Sequence, residues 1–271
     1  MPIEYVHGYH PDEQDRLLKQ ARFLAPWIHA NLLLPRKPFH GLEIGCGVGA
    51  QTPLLAKSFP RSKWTCVDHS PEQVAVAERR LKKLGARAQV LAADARNLPF
   101  ARHSFDAAYC CWVLEHVPDP IAVLKEARRV LRPKAPFVSI EVFERSFWFD
   151  RPAPETRKAW AAFQEAQTRL GGDPNIGVRV PGLLAAAGFK NLRTEALVIQ
   201  SPRNAQKRIA FFDYWKNLIL SALPQAIQMK LVTPEDAEKM KNELDAMARA
   251  APGSMTENHL TYVAMRTTAH A

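Results

Sequence analysis

The sequence predicts an α/β fold: a Rossmann-like, doubly wound sheet of seven mostly parallel strands, with an N-terminal helical arm and a helical cap insertion. Three observations lead to this prediction. Between residues 40 and 142, short apolar runs alternate with amphipathic stretches of helical period. A glycine-rich turn joins the first such run to the stretch after it. Beyond residue 143, longer helix-like runs rich in aromatic side chains carry two further strand candidates.

The elements follow in order along the chain. Pro11 opens a run of helical spacing, and Pro26 is expected to kink or end that helix. The predicted strands are residues 41–44, 64–68, 88–92, 105–111, 137–142, 192–199 and 260–265. The predicted helices after the arm are residues 50–59, 71–84, 120–131, 153–170, 203–220 and 234–250. Turns are expected at Gly171-Gly172-Asp173-Pro174 and at Pro252-Gly253.

This order predicts one domain with three parts. Residues 1–37 form an N-terminal lid or helical arm, residues 38–142 form the ligand-binding core, and residues 143–271 form a helical cap plus the closing strands of the same sheet.

Composition narrows the function classes. The 271 residues are 47% hydrophobic and 24% charged, which excludes a disordered or fibrous chain. The formal charge of +10 is spread over both halves of the sequence and lacks a clustered stripe, so nucleic acid is an unlikely partner. The dispersed excess of positive charge is compatible with an acidic small molecule or with weak contact to nucleic acid.

The cysteines and the termini give further expectations. The four cysteines (Cys46, Cys66, Cys110 and Cys111) form no CxxC pair, so we expect neither a metal site nor a disulfide framework. The first 30 residues contain no apolar signal core, and no run has the length of a membrane span. These observations predict a cytoplasmic protein without a membrane partner.

The turn Leu42-Glu43-Ile44-Gly45-Cys46-Gly47-Val48-Gly49 indicates a nucleotide-like ligand, because glycines let backbone N–H groups approach a ligand at a helix N-terminus. A merely tight strand-to-helix turn is the alternative. The spacing also satisfies the dinucleotide pattern, with Asp68 placed to hold a ribose. Glu43 argues against a dinucleotide, since a carboxylate 4 Å from a pyrophosphate charge costs about 4 kcal/mol at an effective dielectric of 20. A ligand that carries an ammonium and a sulfonium would be favoured instead.

These residues and three later motifs resemble the class I S-adenosylmethionine-dependent methyltransferases, a group that includes ubiquinone/menaquinone biosynthesis-type and bacterial small-molecule enzymes. The later motifs are Cys66-Val67-Asp68-His69-Ser70, Ala93-Asp94-Ala95, and residues 105–117 around Leu114-Glu115-His116-Val117. The starting segment Glu4-Tyr5-Val6-His7-Gly8-Tyr9 and Gly49-Ala50-Gln51-Thr52 also look like one bacterial and archaeal subgroup.

The resemblance implies a role for each matched position. Asp68 would accept hydrogen bonds from the ribose hydroxyls, and Asp94 would take the adenine amino group, with His69 and Ala95 covering the adenine. A helix N-cap is the plainer interpretation of either aspartate. The predicted cofactor-binding residues are Tyr9, Glu43, Gly45, Cys46, Gly47, Gly49, Thr52, Asp68, His69, Asp94, Ala95, Cys111, Trp112 and His116.

Two residues are candidates for catalysis. His116 follows the fourth strand and could take a proton from the acceptor, although a structural or cofactor-side role is the alternative. The resemblance implies that Tyr9 belongs to a lid that reaches the cofactor or substrate. Glu115 is expected to start a helix or form an ion pair. Glu141, at the end of the fifth strand, could orient a substrate or simply be solvated.

The predicted function is transfer of the methyl group of S-adenosylmethionine to an N, O or S nucleophile of a planar or apolar, possibly acidic, small molecule, with S-adenosylhomocysteine as product. Three alternatives stay open: a methyltransferase acting on RNA or protein, an NAD-dependent oxidoreductase, and a silent cofactor-binding scaffold. The sequence does not fix the acceptor atom, the pathway or the oligomeric state.

Overall fold

A computed structural model of the chain describes residues 5–251 and 253–271. Glu4 of the starting segment and Pro252 of the predicted turn lie outside these residues. Seven strands form one mixed, mostly parallel sheet in the order β3-β2-β1-β4-β5-β7-β6. The strands are β1 (Phe39–Ile44), β2 (Ser62–Asp68), β3 (Ala88–Ala92), β4 (Ala107–Cys111), β5 (Pro136–Phe149), β6 (Lys190–Gln200) and β7 (Leu260–His270). The predicted seven-stranded α/β fold is confirmed.

The parallel register brings the strand ends to common edges. Glu43 of β1 lies opposite Cys66 of β2 and Tyr109 of β4, and Cys111 of β4 lies opposite Ile140 of β5. The strand order reverses between β1 and β4. In a parallel α/β sheet, ligands bind in the crevice beyond the carboxyl ends of the strands at this reversal.

The described residues contain eight α-helices, of which α1 precedes the strands and the others connect or follow them. They are α1 (Pro11–Ile28), α2 (Thr52–Ser58), α3 (Pro71–Leu81), α4 (Pro120–Val130), α5 (Pro154–Arg169), α6 (Ile176–Ala186), α7 (Ala205–Gln228) and α8 (Pro234–Arg249). Several begin as the sequence suggests: Ser70, Asp119 and Thr233 accept a hydrogen bond from the first turn, and a proline follows each of them. No helix in these described stretches is long and apolar enough to cross a membrane.

The chain divides into two compact units. Unit 1 comprises residues 1–16, 143–174 and 198–263, and unit 2 comprises residues 17–142, 175–197 and 264–271. The core of unit 2 is built from the apolar strands β1, β2, β4 and β5 and from α4 and α6.

Unit 1 has an aromatic core. Phe147 and Trp160 stack with ring centroids 3.9 Å apart, and Trp215 meets Phe147 edge-on at 5.2 Å. These three rings are buried. Most of the aromatic side chains in the second half of the sequence are therefore core, as their helical spacing already suggested.

Several elements differ from the sequence-based prediction; α7 and β7, for example, end eight and five residues later than predicted, at Gln228 and His270. The helix α6 was not predicted, because Pro181 lies inside it and Gly177 near its start. Gly177 is required there, since a Cβ would lie 2.6 Å from the carbonyl oxygen of Val142. The strand β5 continues to Phe149, seven residues beyond the predicted end. Pro26 does not end α1, which runs two residues further to Ile28.

Candidate functional site

The glycine-rich turn follows β1 with a backbone that ordinary residues rarely adopt. Gly45 has φ +67° and Gly47 has φ +51°. A Cβ on Gly45 would lie 2.3 Å from a methyl carbon of Val113, whereas the space beside Gly47 is open. Gly45 therefore lets the loop pack against the segment after β4. Gly47 leaves room for a ligand to approach the backbone.

Asp68, the last residue of β2, holds this turn. Its Oδ2 accepts a hydrogen bond from the Gly47 N–H at 2.8 Å, and its Oδ1 accepts one from the Ser70 N–H at 3.0 Å. His69 Nδ1 lies 3.5 Å from Oδ1. A carboxylate has about four acceptor positions, so Asp68 can still accept hydrogen bonds from a diol. Its N-cap alternative is not realised, because Ser70 is the residue that caps α3.

Glu43 lies beneath the turn and is buried. Its Oε2 accepts a hydrogen bond from the Thr52 hydroxyl at 2.6 Å, and the Cys66 thiol lies at 3.8 Å. Burial raises the pKa of Glu43 to about 7, against the lowering effect of the Thr52 hydrogen bond. A cation bound above the turn would favour the carboxylate form. Thr52 contacts Glu43 in this way at the start of α2.

Asp94 follows β3 and is bound by its neighbour Arg96. Arg96 Nε lies 3.0 Å from Oδ1 and Nη2 lies 2.8 Å from Oδ2, and the Arg96 N–H also donates to Oδ1. These hydrogen bonds from Arg96 lower the pKa of Asp94. Asp94 is half exposed, so a ligand amino group could reach it while the ion pair persists. Ala95 follows it on the same loop.

The end of β4 turns sharply at Trp112, which has φ +54°, a conformation that costs a non-glycine residue energy and is found near functional sites. Cys111 is the last residue of β4, and the Trp112 N–H continues the pairing to Ile140 of β5. Both residues lie at the carboxyl edge, next to the strand-order reversal. The backbone of this turn thus faces the place where a ligand on the glycine-rich turn would lie.

Glu141 of β5 fixes the same turn from below. Its Oε1 accepts hydrogen bonds from the Leu114 N–H at 3.1 Å and the Val113 N–H at 3.3 Å. Its Oε2 is buried and has no hydrogen-bond partner in the described part of the chain. Burial, with the nearby charge of Glu115, raises the pKa of Glu141 to about 8. Glu141 is therefore neither solvated nor exposed.

His116 and Glu115 belong to a short 3-10 helix, Leu114–His116. His116 Nε2 lies 3.5 Å from Glu115 Oε1, and both side chains are mostly buried. This places Glu115 in an ion pair or hydrogen bond with His116, one of the two roles expected for it. A carboxylate beside one ring nitrogen orients a histidine and selects the tautomer whose other nitrogen accepts a proton.

Two residues that the sequence did not single out for function lie beside these groups. Gln51 precedes α2 and lies 3.9 Å from Cys111 Sγ through its Nε2. Its Oε1 lies 2.8 Å from His29 Nε2, and burial lowers the pKa of His29. Gln51 stands within the motif of residues 49–52, but His29 lies 22 positions upstream, and no local pattern joins the two.

Tyr9 lies in unit 1, and its proposed reach to the cofactor stays a prediction. Within that unit its ring is 5.6 Å from the ring of Tyr5, whose hydroxyl donates to Glu13 at 3.0 Å. Glu13 also binds Arg16 through both of its oxygens. The described part of this segment thus makes its own hydrogen bonds within unit 1.

The four cysteines form no disulfide, and three of them are buried while Cys111 is partly exposed. Burial raises the pKa of all four thiols well above the ordinary value, so none is a ready nucleophile. Among residues 5–251 and 253–271, no group of three or more His, Cys, Asp or Glu side chains could hold a metal ion.

Comparison with known proteins adds to this geometry. Residues 42–139 match the family model described as "Methyltransferase domain". The chain is 34% identical over 111 residues to the demethylmenaquinone methyltransferase of Thermotoga maritima, covering 41% of this chain and 47% of the relative. It is 31% identical over 107 residues to the sterol 4-C-methyltransferase strm-1 of Caenorhabditis elegans, covering 39% of this chain and 31% of the relative. Each match spans less than half of the relative's length.

Solved structures share the fold at low sequence identity. Phosphoethanolamine N-methyltransferase 2 of Haemonchus contortus, in complex with phosphomonomethylethanolamine and S-adenosylhomocysteine, superposes with a TM-score of 0.55 at 17% identity. The superposition covers 93% of this chain and 52% of that one. Residues 42–139 thus match the methyltransferase domain family, and the order of the motifs and the sheet topology agree with that match.

Proposed function

We propose that this protein transfers the methyl group of S-adenosylmethionine to a nucleophilic atom of a small molecule. The observation that carries the proposal is the hydrogen bond that ties Gly47 of the glycine-rich turn to Asp68 at the reversal of strand order. It joins an open backbone surface to a carboxylate that can still accept hydrogen bonds, which are the two features that an adenosyl ligand with a charged amino-acid end requires.

The residues fit S-adenosylmethionine in three places. The open backbone at Gly47 suits the amino-acid end, and the buried carboxyl of Glu43 beneath it suits positive charge. Asp68 would accept the ribose hydroxyls. Asp94, Ala95 and His69 would surround the adenine. Cys46, Gly49, Thr52, Cys111 and Trp112 would complete the binding surface by their backbone or by holding their neighbours.

The cofactor supplies an electrophilic methyl group on a sulfonium, and the chain supplies alignment. Alignment of two reactants gains roughly 7 to 11 kcal/mol over free encounter. The turn at Trp112, held by Glu141 through the Val113 and Leu114 amides, fixes one wall of the space in which the acceptor would lie. No covalent intermediate on the protein is required.

His116 is the proposed general base. Glu115 lies 3.5 Å from its Nε2, and the imidazole would take a proton from an N–H, O–H or S–H group of the acceptor. Tyr9 is the proposed lid residue, whose hydroxyl would reach the cofactor or the acceptor when water is excluded. An acceptor that reacts without losing a proton would leave His116 dispensable.

The proposed acceptor is a planar or apolar molecule, and an acidic group on it would suit the positive charge of unit 2. The named activities of two relatives, on demethylmenaquinone and on a sterol, support an apolar acceptor. The buried aromatic rings of unit 1 do not support it by themselves, because they pack against one another.

Calorimetry tests the proposal. We expect S-adenosylmethionine and S-adenosylhomocysteine to bind and NADH not to bind, and we expect a labelled methyl group to appear in one member of a panel of quinols, phenols and amines. Binding of NADH alone would overturn the assignment. Binding of the cofactor without turnover of any acceptor would favour a scaffold.

A further inference from the structure

The charges of unit 2 are separated along the direction of its strands. By sequence the unit contains 23 Lys and Arg residues and 11 Asp and Glu residues, a formal charge of +12, whereas unit 1 carries −2. The excess is thus confined to the unit that holds the candidate site. Six of its 11 acids lie at or just after the carboxyl ends of β1 to β4, namely Glu43, Asp68, Glu72, Asp94, Glu115 and Asp119. Glu141 of β5 lies beside the end of β4, because its neighbour Ile140 pairs with Cys111.

The opposite edge of the sheet is basic. The register places Phe39 of β1 opposite Ser62 of β2. The same level of the sheet corresponds to residue 86 ahead of β3, residue 105 ahead of β4 and residue 134 ahead of β5, and these five positions form one row across the sheet. Lysines and arginines cluster within a few residues of this row on all five strands. We call this cluster the amino edge; it consists of Arg36, Lys37, Arg61, Lys63, Lys82, Lys83, Arg87, Arg102, Arg132 and Lys134.

The amino edge is exposed and almost free of compensating charge. All its members are exposed except Arg87, which is half-buried. Among the described residues, two acids compensate part of this charge: Asp106 is paired with Arg132, and Glu126 of α4 interacts electrostatically with Arg102. The side chains of two members are held by the backbone: Arg61 donates to the carbonyl of Arg36 at 2.9 Å, and Arg87 donates to the carbonyl of Pro60 at 3.4 Å.

The plainer interpretation accounts for part of this charge. Helices α2, α3 and α4 end toward the same side with basic last turns, and cations stabilise helix C-termini. That explanation covers Lys57, Arg79, Arg80, Arg128 and Arg129. It does not cover the cations that directly precede the strands, such as Lys37, Arg61 and Lys134, which lie outside any helix.

We propose that the amino edge binds the phosphodiester backbone of a nucleic acid, as a docking surface separate from the methyl-transfer site. Neighbouring strands lie about 4.8 Å apart, so the row of five strands carries cations over roughly 19 Å. A row of exposed ammonium and guanidinium groups neutralises successive phosphates and releases counterions. Because the row lies at the opposite ends of the strands from Glu43 and Asp68, the bound strand is not the methyl acceptor.

A membrane surface would use the same charges but would also need apolar side chains to insert. Two exposed apolar side chains of this unit lie toward the other edge. Leu91 pairs with Val67 near the carboxyl end of β2, and Val178 follows Gly177, which packs against the carbonyl of Val142. Leu33, ahead of β1, is the exposed apolar residue nearest in sequence to the amino edge. The observations therefore favour phosphates presented by a polymer.

The test measures anisotropy of a fluorescein-labelled polyuridine oligonucleotide, and of the matching DNA, each of about 20 nucleotides, over a range of salt. Lys63→Glu/Lys134→Glu removes two exposed members of the amino edge that form no ion pair in the described structure. The control Arg203→Glu/Lys207→Glu makes the same change of net charge in unit 1, next to the N-terminus of α7, where acidic residues are tolerated.

We expect the affinity of the Lys63→Glu/Lys134→Glu variant for the oligonucleotide to fall about tenfold or more. The slope of log affinity against log salt concentration should decrease in magnitude by about 0.7 for each phosphate contact removed. The control should bind like the original protein. An equal loss of oligonucleotide affinity in both variants would show that only the net charge of the protein matters, and this would overturn the proposal. The proposal would also be overturned if the protein bound phosphatidylglycerol vesicles in preference to phosphatidylcholine vesicles and did not bind the oligonucleotides.

The result is independent of the proposed function. Affinity for S-adenosylhomocysteine, measured on the same preparations, should be unchanged in both double variants. Loss of oligonucleotide binding with intact cofactor binding supports the docking surface. Absence of cofactor binding in the original protein would instead contradict the methyltransferase proposal alone.

Discussion

The Gly47 N–H donates a hydrogen bond of 2.8 Å to Asp68 Oδ2, so that the end of β2 fixes the turn that follows β1. This contact spans 21 residues of sequence. It makes one carboxylate responsible both for the shape of the glycine-rich turn and for a proposed ligand contact.

Replacing Asp68 by alanine should therefore weaken cofactor binding strongly. Two hydrogen bonds to a charged acceptor, at about 1.5 kcal/mol each, correspond to roughly a hundredfold loss of affinity for S-adenosylhomocysteine. Calorimetry measures it, with Glu78→Ala as control, since Glu78 is an exposed acid on α3 outside the site. Unchanged affinity in Asp68→Ala would place the ribose elsewhere.

Gly45→Ala and Gly47→Ala form a matched pair. Both place a Cβ at positive φ, which costs about 1 to 2 kcal/mol. Only Gly45→Ala also drives the Cβ into Val113, which should add about 1 to 3 kcal/mol. Urea denaturation should show a larger decrease in the free energy of unfolding for Gly45→Ala than for Gly47→Ala. Gly47→Ala should instead mainly lose affinity for the cofactor. Equal stability of the two variants would contradict the close packing of Gly45 on Val113.

His116→Ala should slow turnover without changing cofactor affinity. General base catalysis contributes about 10² to 10⁴ in rate, so a decrease in kcat of that order is expected with an acceptor that loses a proton. His259→Ala, at a partly exposed histidine in unit 1, is the control. Full activity of His116→Ala would eliminate His116 as the base.

Two buried carboxyls give the fold a pH dependence of definite sign. The pKa of Glu43 is about 7 and that of Glu141 about 8 in the folded protein, against an ordinary value of 4.5. Between pH 4.5 and these values the unfolded chain releases protons that the folded chain keeps, so the free energy of unfolding falls as pH rises through this window. Each unit of pKa difference corresponds to about 1.4 kcal/mol.

Glu43→Gln and Glu141→Gln should each flatten that decline, because glutamine keeps a hydrogen-bonding oxygen and does not ionise. The measurement is urea unfolding of each variant between pH 5 and pH 8. Glu78→Gln, on the exposed face of α3, should follow the original protein. A decline that persists unchanged in both buried variants would contradict the assignment.

Much of the fold could be predicted because local sequence and tertiary environment agree. The strand β3 has the predicted bounds, Ala88–Ala92, and α4 differs by one residue at its end. The helix α6 was missed since a proline inside a helix normally argues against one, and its apolar packing outweighs that preference. The long β5 was missed because its aromatic residues fit a helix or a strand equally well.

The site could be predicted where it depends on position along a strand. Glu43, Asp68 and Asp94 follow from the ends of β1, β2 and β3. What could not be predicted are partners that are distant in sequence, such as His29 beside Gln51, or the buried Oε2 of Glu141. The amino edge was missed for the same reason, because its cations come from five separate segments and no single segment contains a cluster. The sequence therefore showed only a dispersed excess of positive charge.

The separation of charge in unit 2 has a consequence for the reaction cycle. A sulfonium donor carries one positive charge more than the thioether left after methyl transfer. The acids around the carboxyl ends therefore attract S-adenosylmethionine more strongly than S-adenosylhomocysteine. This difference in attraction becomes smaller as the salt concentration rises. Exchange of product for substrate would thus be driven partly by the protein's own field, with no movement of the chain needed to tell the two molecules apart.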